Sequence, residues 1–311
     1  MSSIGAAPAR RVPRRLGDRL LAGMATSAGV AILATLAGVV VFLLIEAWPA
    51  ITAPAAEIPG GRGLVAFIAP LAFGTVLAAV LAVALAVPFA VAIALFVSHY
   101  APRPLAGPLA SLIDLLAAVP SVVYGLWGVA VLAPASRGPI AWLADHLGFL
   151  PLFAGPPSVT GRTMLVAAVV LAVMILPITC GLAREAFAQA PRAHLEAAYA
   201  LGATRWEAIR MAVLPFGRAA VASAALLGLG RALGETMAVT IILSATGAVT
   251  FNLISSDNPS TIAANIALDF PESAGVAVNA LIASGLALFA ITFAVNLAAR
   301  AVVGRRARRG G

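Results

Sequence analysis

The 311-residue chain has no lysine, one cysteine, three histidines and little charge of either sign, with Asp, Glu, Lys and Arg together only 10% of residues. Each shortage excludes something. The single cysteine, Cys180, lies in an apolar run, so there is no disulfide framework and no thiolate metal cluster. The histidines, His99, His146 and His194, fall on predicted opposite sides of a membrane. They cannot form the clustered site that a membrane enzyme acting on lipid phosphates would need. No Walker A pattern occurs, so any nucleotide hydrolysis belongs to another chain. With 62% of residues hydrophobic, a water-soluble core is excluded as well.

What is present is apolar sequence in long runs. Hydropathy gives six spans at roughly 23–48, 68–98, 109–134, 162–186, 217–246 and 274–303, each longer than the approximately 20 residues a bilayer core requires. Arginine-rich sequence precedes the first span, as in a secretory signal, but the apolar segment is too long and reaches Glu46-Ala-Trp48 without a small-residue cleavage site. It reads as a retained first helix. Pro88, Pro120 and Pro177 fall inside the second, third and fourth spans, where each can kink a helix. Two further segments read as short helices at the outer face: residues 139–153, with Trp142, Phe149 and Phe153 beside Asp145 and His146, and residues 257–273, with Asp257 or Ser260 as caps.

The 20 basic residues are all arginine, and they are not evenly shared. Arg10, Arg11, Arg14, Arg15, Arg19, Arg103, Arg184, Arg192, Arg205, Arg210, Arg218, Arg300, Arg305, Arg306, Arg308 and Arg309 fall on one side of the spans. Only Arg62, Arg137 and Arg162 fall on the other. By the positive-inside rule both termini are cytoplasmic, as is the 191–215 segment. The net charge of +8 is then explained by orientation and by membrane lipids of the inner leaflet, not by nucleic acid.

Arg231 is the exception, because it lies within the fifth span. An arginine at that depth costs approximately 2.5–3.5 kcal/mol on insertion scales, and a carboxylate a comparable amount. Glu235 follows at i+4, which on a continuous helix puts the two side chains on one face as a pair. A guanidinium offers a planar fork of donors suited to a phosphate-like oxyanion. A carboxylate beside it can accept from protonated phosphate and repel sulfate, which carries no proton near neutral pH. Thr236 follows directly, and Ser121 and Tyr124, beside Pro120, are hydroxyl donors that could line the same pathway or serve packing.

Residues 191–215 are the one long polar stretch between apolar runs. Pro191 suits a first helical position and Gly202 a left-handed helix end. Thr204 with Glu207 forms a capping box for a second helix, and Pro215 is expected to stop it. A helical hairpin at a membrane face is the expectation.

This hairpin resembles the EAA motif of bacterial ABC importer permeases: EAA, three residues, Gly, nine residues, Ile, one residue, Leu-Pro. Glu196, Ala197, Ala198, Gly202, Leu214 and Pro215 match, with Ala212 where the pattern prefers Ile. In that family the loop inserts into a cleft of a cytoplasmic ATPase. GRALGETMAV, with Arg231, Leu233, Gly234, Glu235, Thr236 and Met237, and IDLLAAVPSVVYGLWGV at 113–129 are similar to phosphate importer permeases of the PstC type. Asp114 stands where that family commonly has Glu.

The resemblance implies an all-α membrane protein of the type I ABC importer permease fold, with six transmembrane helices. It also implies a multi-pass location in a bacterial inner membrane. Residues 1–22 form a basic cytoplasmic N-terminus and 23–67 a first helix and periplasmic loop. The permease core is 68–303, with the coupling loop at 191–215, and 304–311 a basic tail. The implied activity is phosphate import without a catalytic or metal site in this chain. ATP and Mg are bound by a partner ATPase dimer, and a second PstA-like permease and an extracytoplasmic phosphate-binding protein complete the assembly. A permease for sulfate or molybdate, or a proton-coupled secondary carrier, is the alternative.

Overall fold

The computed structural model of the chain describes residues 16–243 and 249–309. Arg10, Arg11, Arg14 and Arg15 lie outside them, as do the side chains of Arg19, Arg305, Arg306, Arg308 and Arg309. Twelve α-helices follow one another among the described residues: α1 (Leu16–Thr52), α2 (Leu64–Leu95), α3 (Arg103–Ala117), α4 (Ser121–Trp127), α5 (Ala133–Leu147), α6 (Met164–Ala188), α7 (Arg192–Ala200), α8 (Arg205–Ala208), α9 (Leu214–Leu233), α10 (Met237–Ile242), α11 (Ile262–Asp269) and α12 (Val276–Arg309). Three π-helical turns continue or join them: Phe96–Tyr100 after α2, Gly128–Leu132 between α4 and α5, and Ile209–Val213 between α8 and α9.

Five helical runs are long and apolar enough to cross a bilayer, and a sixth forms if the pair Arg103–Ala117 and Ser121–Leu147 is counted as one broken span. The expected third span, 109–134, is thus corrected. Its two halves meet at 93°, because Pro120 has no N–H to continue α3 and disfavours helical backbone at the residue before it. The crossing half runs on through α4, the π turn and α5 to Leu147. Pro139–Leu147 is therefore the end of that helix, not a separate interfacial one, and Trp142 stacks on His146 at 4.6 Å there. The cap of α11 is likewise neither Asp257 nor Ser260: Thr261 Oγ1 accepts from the Ala264 N–H at 3.3 Å.

The centre of the bundle is α6, buried along most of its length, with α2 and α9 against it. The α2 contact is made by a ladder of small residues, Ala78, Ala82, Ala86, Ala90 and Ala94, every one buried. Small side chains at i+4 spacing let backbones approach closely, which is how helices gain packing contact where lipid supplies no hydrophobic drive. Gly217 and Gly228 do the same for α9: a Cβ on Gly217 would meet the Phe187 ring at 2.4 Å, and one on Gly228 the Thr179 hydroxyl at 3.1 Å. By contrast α1 is exposed from Leu20 to Val39 and joins the bundle only at its end, through Ala47, Ala50 and the bond from Asn279 of α12 to the Glu46 carbonyl (2.6 Å).

The starts of α2, α6 and α12 share one face of the bundle, the hairpin of α7 and α8 the other. The far face from the hairpin is tied by non-helical backbone. Ser158 N–H donates to Ile254 O and Leu165 N–H to Leu253 O, both at 2.9 Å. Met164 N–H donates to Asn258 Oδ1 at 3.2 Å, and Ile262 N–H to Thr75 Oγ1 at 2.9 Å. Gly161 sits in this layer at φ +75°, and a Cβ there would lie 1.9 Å from the Ala133 carbonyl oxygen. Gly60, at φ +83°, has nothing within 4 Å. Gly161→Ala is expected to lower stability by more than ~2 kcal/mol, and Gly60→Ala by about 1 kcal/mol from backbone strain alone. Thermal unfolding of the two variants in detergent distinguishes them, Gly161→Ala melting well below Gly60→Ala.

Candidate functional site

Two helices break inside the bundle, and they break at the same level. Helix α4 and the π turn that continues it lie against α10 through glycines: a Cβ on Gly125 would meet Ala238 Cα at 2.9 Å, and one on Gly128 would meet Ile242 Cδ1 at 3.0 Å. The two helices therefore run the same way, and continuing the register back by one turn sets Ser121 opposite Gly234 and Glu235. Both positions follow a break, at Pro120 in one chain segment and at Gly234 in the other.

The fifth span is accordingly not one helix over 217–246. It starts at Arg205, passes through Pro215 and stops at Leu233. Pro215 does not end the second hairpin helix, since the π turn Ile209–Val213 directly before it absorbs the register change that the missing N–H imposes. Past Leu233 the chain makes one turn, with Gly234 N–H on Gly230 O and Glu235 N–H on Ala232 O, and restarts as the six-residue α10.

This break separates Arg231 from Glu235. The expected i, i+4 pair requires unbroken helix, and none forms. Glu235 turns inward, 8% exposed, and its Oε1 accepts from the Ala238 N–H at 3.1 Å, capping α10. Arg231 stays exposed and makes no ion pair or hydrogen bond among the described residues. Thr236 is half-buried, donating to Gly234 O at 3.3 Å, while its own carbonyl accepts from Thr240 Oγ1 at 2.8 Å. The buried Tyr124 donates to Leu116 O at 2.8 Å, a carbonyl at the other break that also accepts from Val119 N–H at 3.3 Å. Ser121 is half-buried at the first turn of α4, which has no side-chain cap. The five expected pathway residues thus gather around two adjoining breaks, four of them held by packing or backbone bonds and Arg231 left open.

Arg162 was legible only as a basic residue on the outer side. In the structure its Nε donates to Ile242 O at 3.1 Å and its Nη2 to Ile241 O, at the C-terminal end of α10. A helix end buried without partners is costly, and a cation there also opposes the negative end of the helix dipole. So α10 is held by a carboxylate at its first turn and a guanidinium at its last.

The hairpin forms as its residues dictate. Helix α7 ends with Gly202 at φ +82°, Gly202 N–H on Tyr199 O (2.9 Å) and Ala203 N–H on Ala198 O (3.1 Å), the two bonds of a Schellman motif. Thr204 and Glu207 make the capping box, with Thr204 N–H on Glu207 Oε2 at 2.8 Å and Glu207 N–H on Thr204 Oγ1 at 3.4 Å. Arg205 clamps the hairpin to the end of α2, its guanidinium 4.7 Å from the centroid of the Tyr100 ring and bonded to the His99 carbonyl. Glu196, Ala197, Gly202 and Pro215 are exposed, Leu214 is half-buried, and Ala198 packs inward. Around them Tyr199, Trp206 and, at 89% exposure, Leu201 present apolar surface.

Apolar helices interrupted within the bilayer, one open arginine beside the interruptions and a rigid hairpin at the membrane face define a membrane permease. Residues 86–308 match the family described as the binding-protein-dependent transport system inner membrane component. The chain is 45% identical over 304 residues to the phosphate transport system permease protein PstC 2 of Mycobacterium tuberculosis, covering 94% of this chain and 93% of that one. It is 45% identical over 278 residues to PstC of Mycobacterium leprae (86% of each) and 42% identical over 244 residues to PstC of Xylella fastidiosa (77% and 74%). Among solved structures, the fold is similar to a bacterial ABC transporter involved in import of the acidic polysaccharide alginate (TM-score 0.57, 16% identity, 92% of this chain and 99% of that one). It is also similar to the MetNI methionine ABC transporter (TM-score 0.51, 15% identity, 76% and 96%). The chain belongs to the binding-protein-dependent inner-membrane transport family and, within it, to the PstC group. It is a multi-pass inner-membrane subunit of an ABC importer, a family that works in complex with an ATPase and a substrate-binding protein.

Removing the clamp on α10 has a local signature. Arg162→Ala deletes two charge-assisted bonds, which should lower protection of residues 237–243 by about 2–3 kcal/mol, with Arg162→Lys between it and the parent. Hydrogen–deuterium exchange reads this directly: faster exchange in α10 with α6 unchanged is expected, and unchanged α10 would refute the clamp.

Proposed function

We propose that the chain is the PstC-like permease subunit of an ATP-driven importer that moves inorganic phosphate across the cytoplasmic membrane. The observation that carries this reading is Arg231: a guanidinium open to a groove at the level of two helix breaks, with no counter-ion among the described residues. An always-charged planar fork in a low-dielectric layer attracts a tetrahedral oxyanion strongly. Glu235 acts on this site through α10, holding the break that frees Arg231. The names of the three relatives above, each a phosphate transport system permease protein, support the same substrate.

Energy enters at the hairpin. Exposed Glu196 and Ala197 of α7, with Tyr199, Leu201 and Trp206, form the surface that a cytoplasmic ATPase dimer, holding ATP and Mg, would grip. Arg205 passes its motion to α2, and the continuous helix from Arg205 to Leu233 passes it to Arg231. A PstA-like second permease completes the pathway, and an extracytoplasmic phosphate-binding protein delivers substrate to the far face. The chain contributes no catalytic group to ATP hydrolysis.

Two substitutions test the two halves separately. Arg231→Ala should reduce phosphate uptake by at least about a hundredfold, equivalent to some 3 kcal/mol, while the complex still co-purifies; normal uptake would sink the pathway assignment. Gly202→Val forces a β-branched residue to positive φ, so ATP hydrolysis should continue while uptake per ATP falls severalfold. Tightly coupled turnover in that variant would remove the docking role.

A further inference from the structure

The last spanning helix carries five polar side chains between Val276 and Ala301: Asn279, Ser284, Thr292, Asn296 and Arg300. The first two are satisfied within the chain, Asn279 by the Glu46 carbonyl and Ser284 by the Leu281 carbonyl, each at 2.6 Å. Thr292, Asn296 and Arg300 make no hydrogen bond or ion pair among the described residues. They recur at i, i+4 and i+8, so they stripe one side of α12. That side lines a groove shared with Ser223, Gly230 and Arg231 of α9 and Ile178 of α6.

An amide in a spanning helix without a partner costs several kcal/mol if it faces hydrocarbon, so the stripe faces something polar. The direction of the groove follows from the ends of the helices. Helix α12 begins beside the start of α2, where Ala280 packs with Ile58 and Phe67, and α9 begins at the hairpin. The two run oppositely, which puts Arg231 at the deep end of the groove and Arg300 toward the hairpin face. Eight residues separate Ser223 from Arg231, and eight separate Thr292 from Arg300, so each helix contributes about 12 Å of wall. Among the described residues no acidic side chain lines it.

We propose that this groove is the release track for the transported oxyanion, with Thr292, Asn296 and Ser223 as neutral contacts between two cations and Arg300 as the exit cation. The proposal rests on the reading of Arg231 above and extends it to residues on another helix. Its chemistry suits passage: a cation at each end draws a hydrated phosphate along, and between them the uncharged Thr292 and Asn296, with Ser223, whose hydroxyl donates to the Ala219 carbonyl at 3.0 Å and is left to accept from a protonated phosphate, bind it too weakly to trap it. Phe289, Phe293 and Leu297 interleave with the polar stripe as apolar wall.

The test uses the assembled transporter in proteoliposomes. Cys180 is fully buried, so Asn296→Cys introduces the one thiol of this chain open to reagents. An anionic methanethiosulfonate should modify it about tenfold or more faster than a cationic one, as expected for a positively charged cleft. Inorganic phosphate should slow the modification, and adding Arg300→Gln should erase the preference. Thr292→Cys serves as a second reporter if the first variant fails to assemble. In uptake assays Asn296→Leu and Arg300→Gln should each lower the maximal rate about tenfold, with co-purification and ATP hydrolysis retained. If both thiols are shielded from both reagents in the complex, the partner permease packs on this face and the track is wrong. If both variants transport at the parental rate while Arg231→Ala is dead, the track is wrong and the Arg231 reading stands. If Arg231→Ala itself transports normally, the parent reading fails first.

Discussion

Backbone that leaves helical geometry inside a bilayer must find its hydrogen bonds in protein, and that requirement organises this molecule. Where α9 stops at Leu233, the short helix α10 exposes free amides at one end and free carbonyls at the other. Glu235 meets the amides and Arg162 the carbonyls. Where α3 stops, the Tyr124 hydroxyl meets the Leu116 carbonyl. Each side chain that repairs a break is thereby committed, which is why Arg231, left uncommitted, stands out as the group free to bind something that is not protein.

The two breaks depend on each other through packing. Gly125 brings α4 within backbone contact of α10, and Gly128, opening the π turn that follows, leaves room for the Val170 and Ile242 side chains, so a larger residue at either would push the two levels apart. The same economy of side-chain size recurs in the alanine ladder of α2 and at Gly217 and Gly228 of α9. Close approach by small residues is the cohesive principle throughout, since lipid is as apolar as the helices and gives them little reason to associate. The loop layer on the far face, where Ser158 meets Ile254 and where Leu253 and Asn258 tie to the first turn of α6, holds the upper ends in register and carries Arg162 into place.

Local features were legible in the sequence and long-range ones were not. The hairpin was readable residue by residue, because a Schellman glycine and a capping box are satisfied within four or five positions: Gly202, Thr204 and Glu207 do as their spacing says. The number of spans, the departure at Pro120 and the presence of an arginine within a spanning helix followed from composition and from the cost of charge in hydrocarbon. The pairing of Arg231 with Glu235 did not survive, because i+4 arithmetic assumes unbroken helix and nothing in GRALGETMAV announces a stop except Gly234, a residue common within membrane helices. Arg162 was unreadable for a different reason. Its partners lie some eighty positions away, and only the fold brings them together. Pro215 misled in the opposite direction, since a π turn accommodates it.

That π turn, Ile209–Val213, governs more than its own residues. It widens one turn of the helix, so the rest of α9 is rotated about the axis relative to an uninterrupted α-helix beginning at Arg205. One residue of offset is about 100° of azimuth, enough to carry Arg231 from the groove to the crowded side facing α6. The hairpin and the arginine are therefore phased to each other like two teeth cut on one shaft, and straightening the turn to regular α-helix with no residue removed would leave both intact yet aim the arginine at the wrong neighbour.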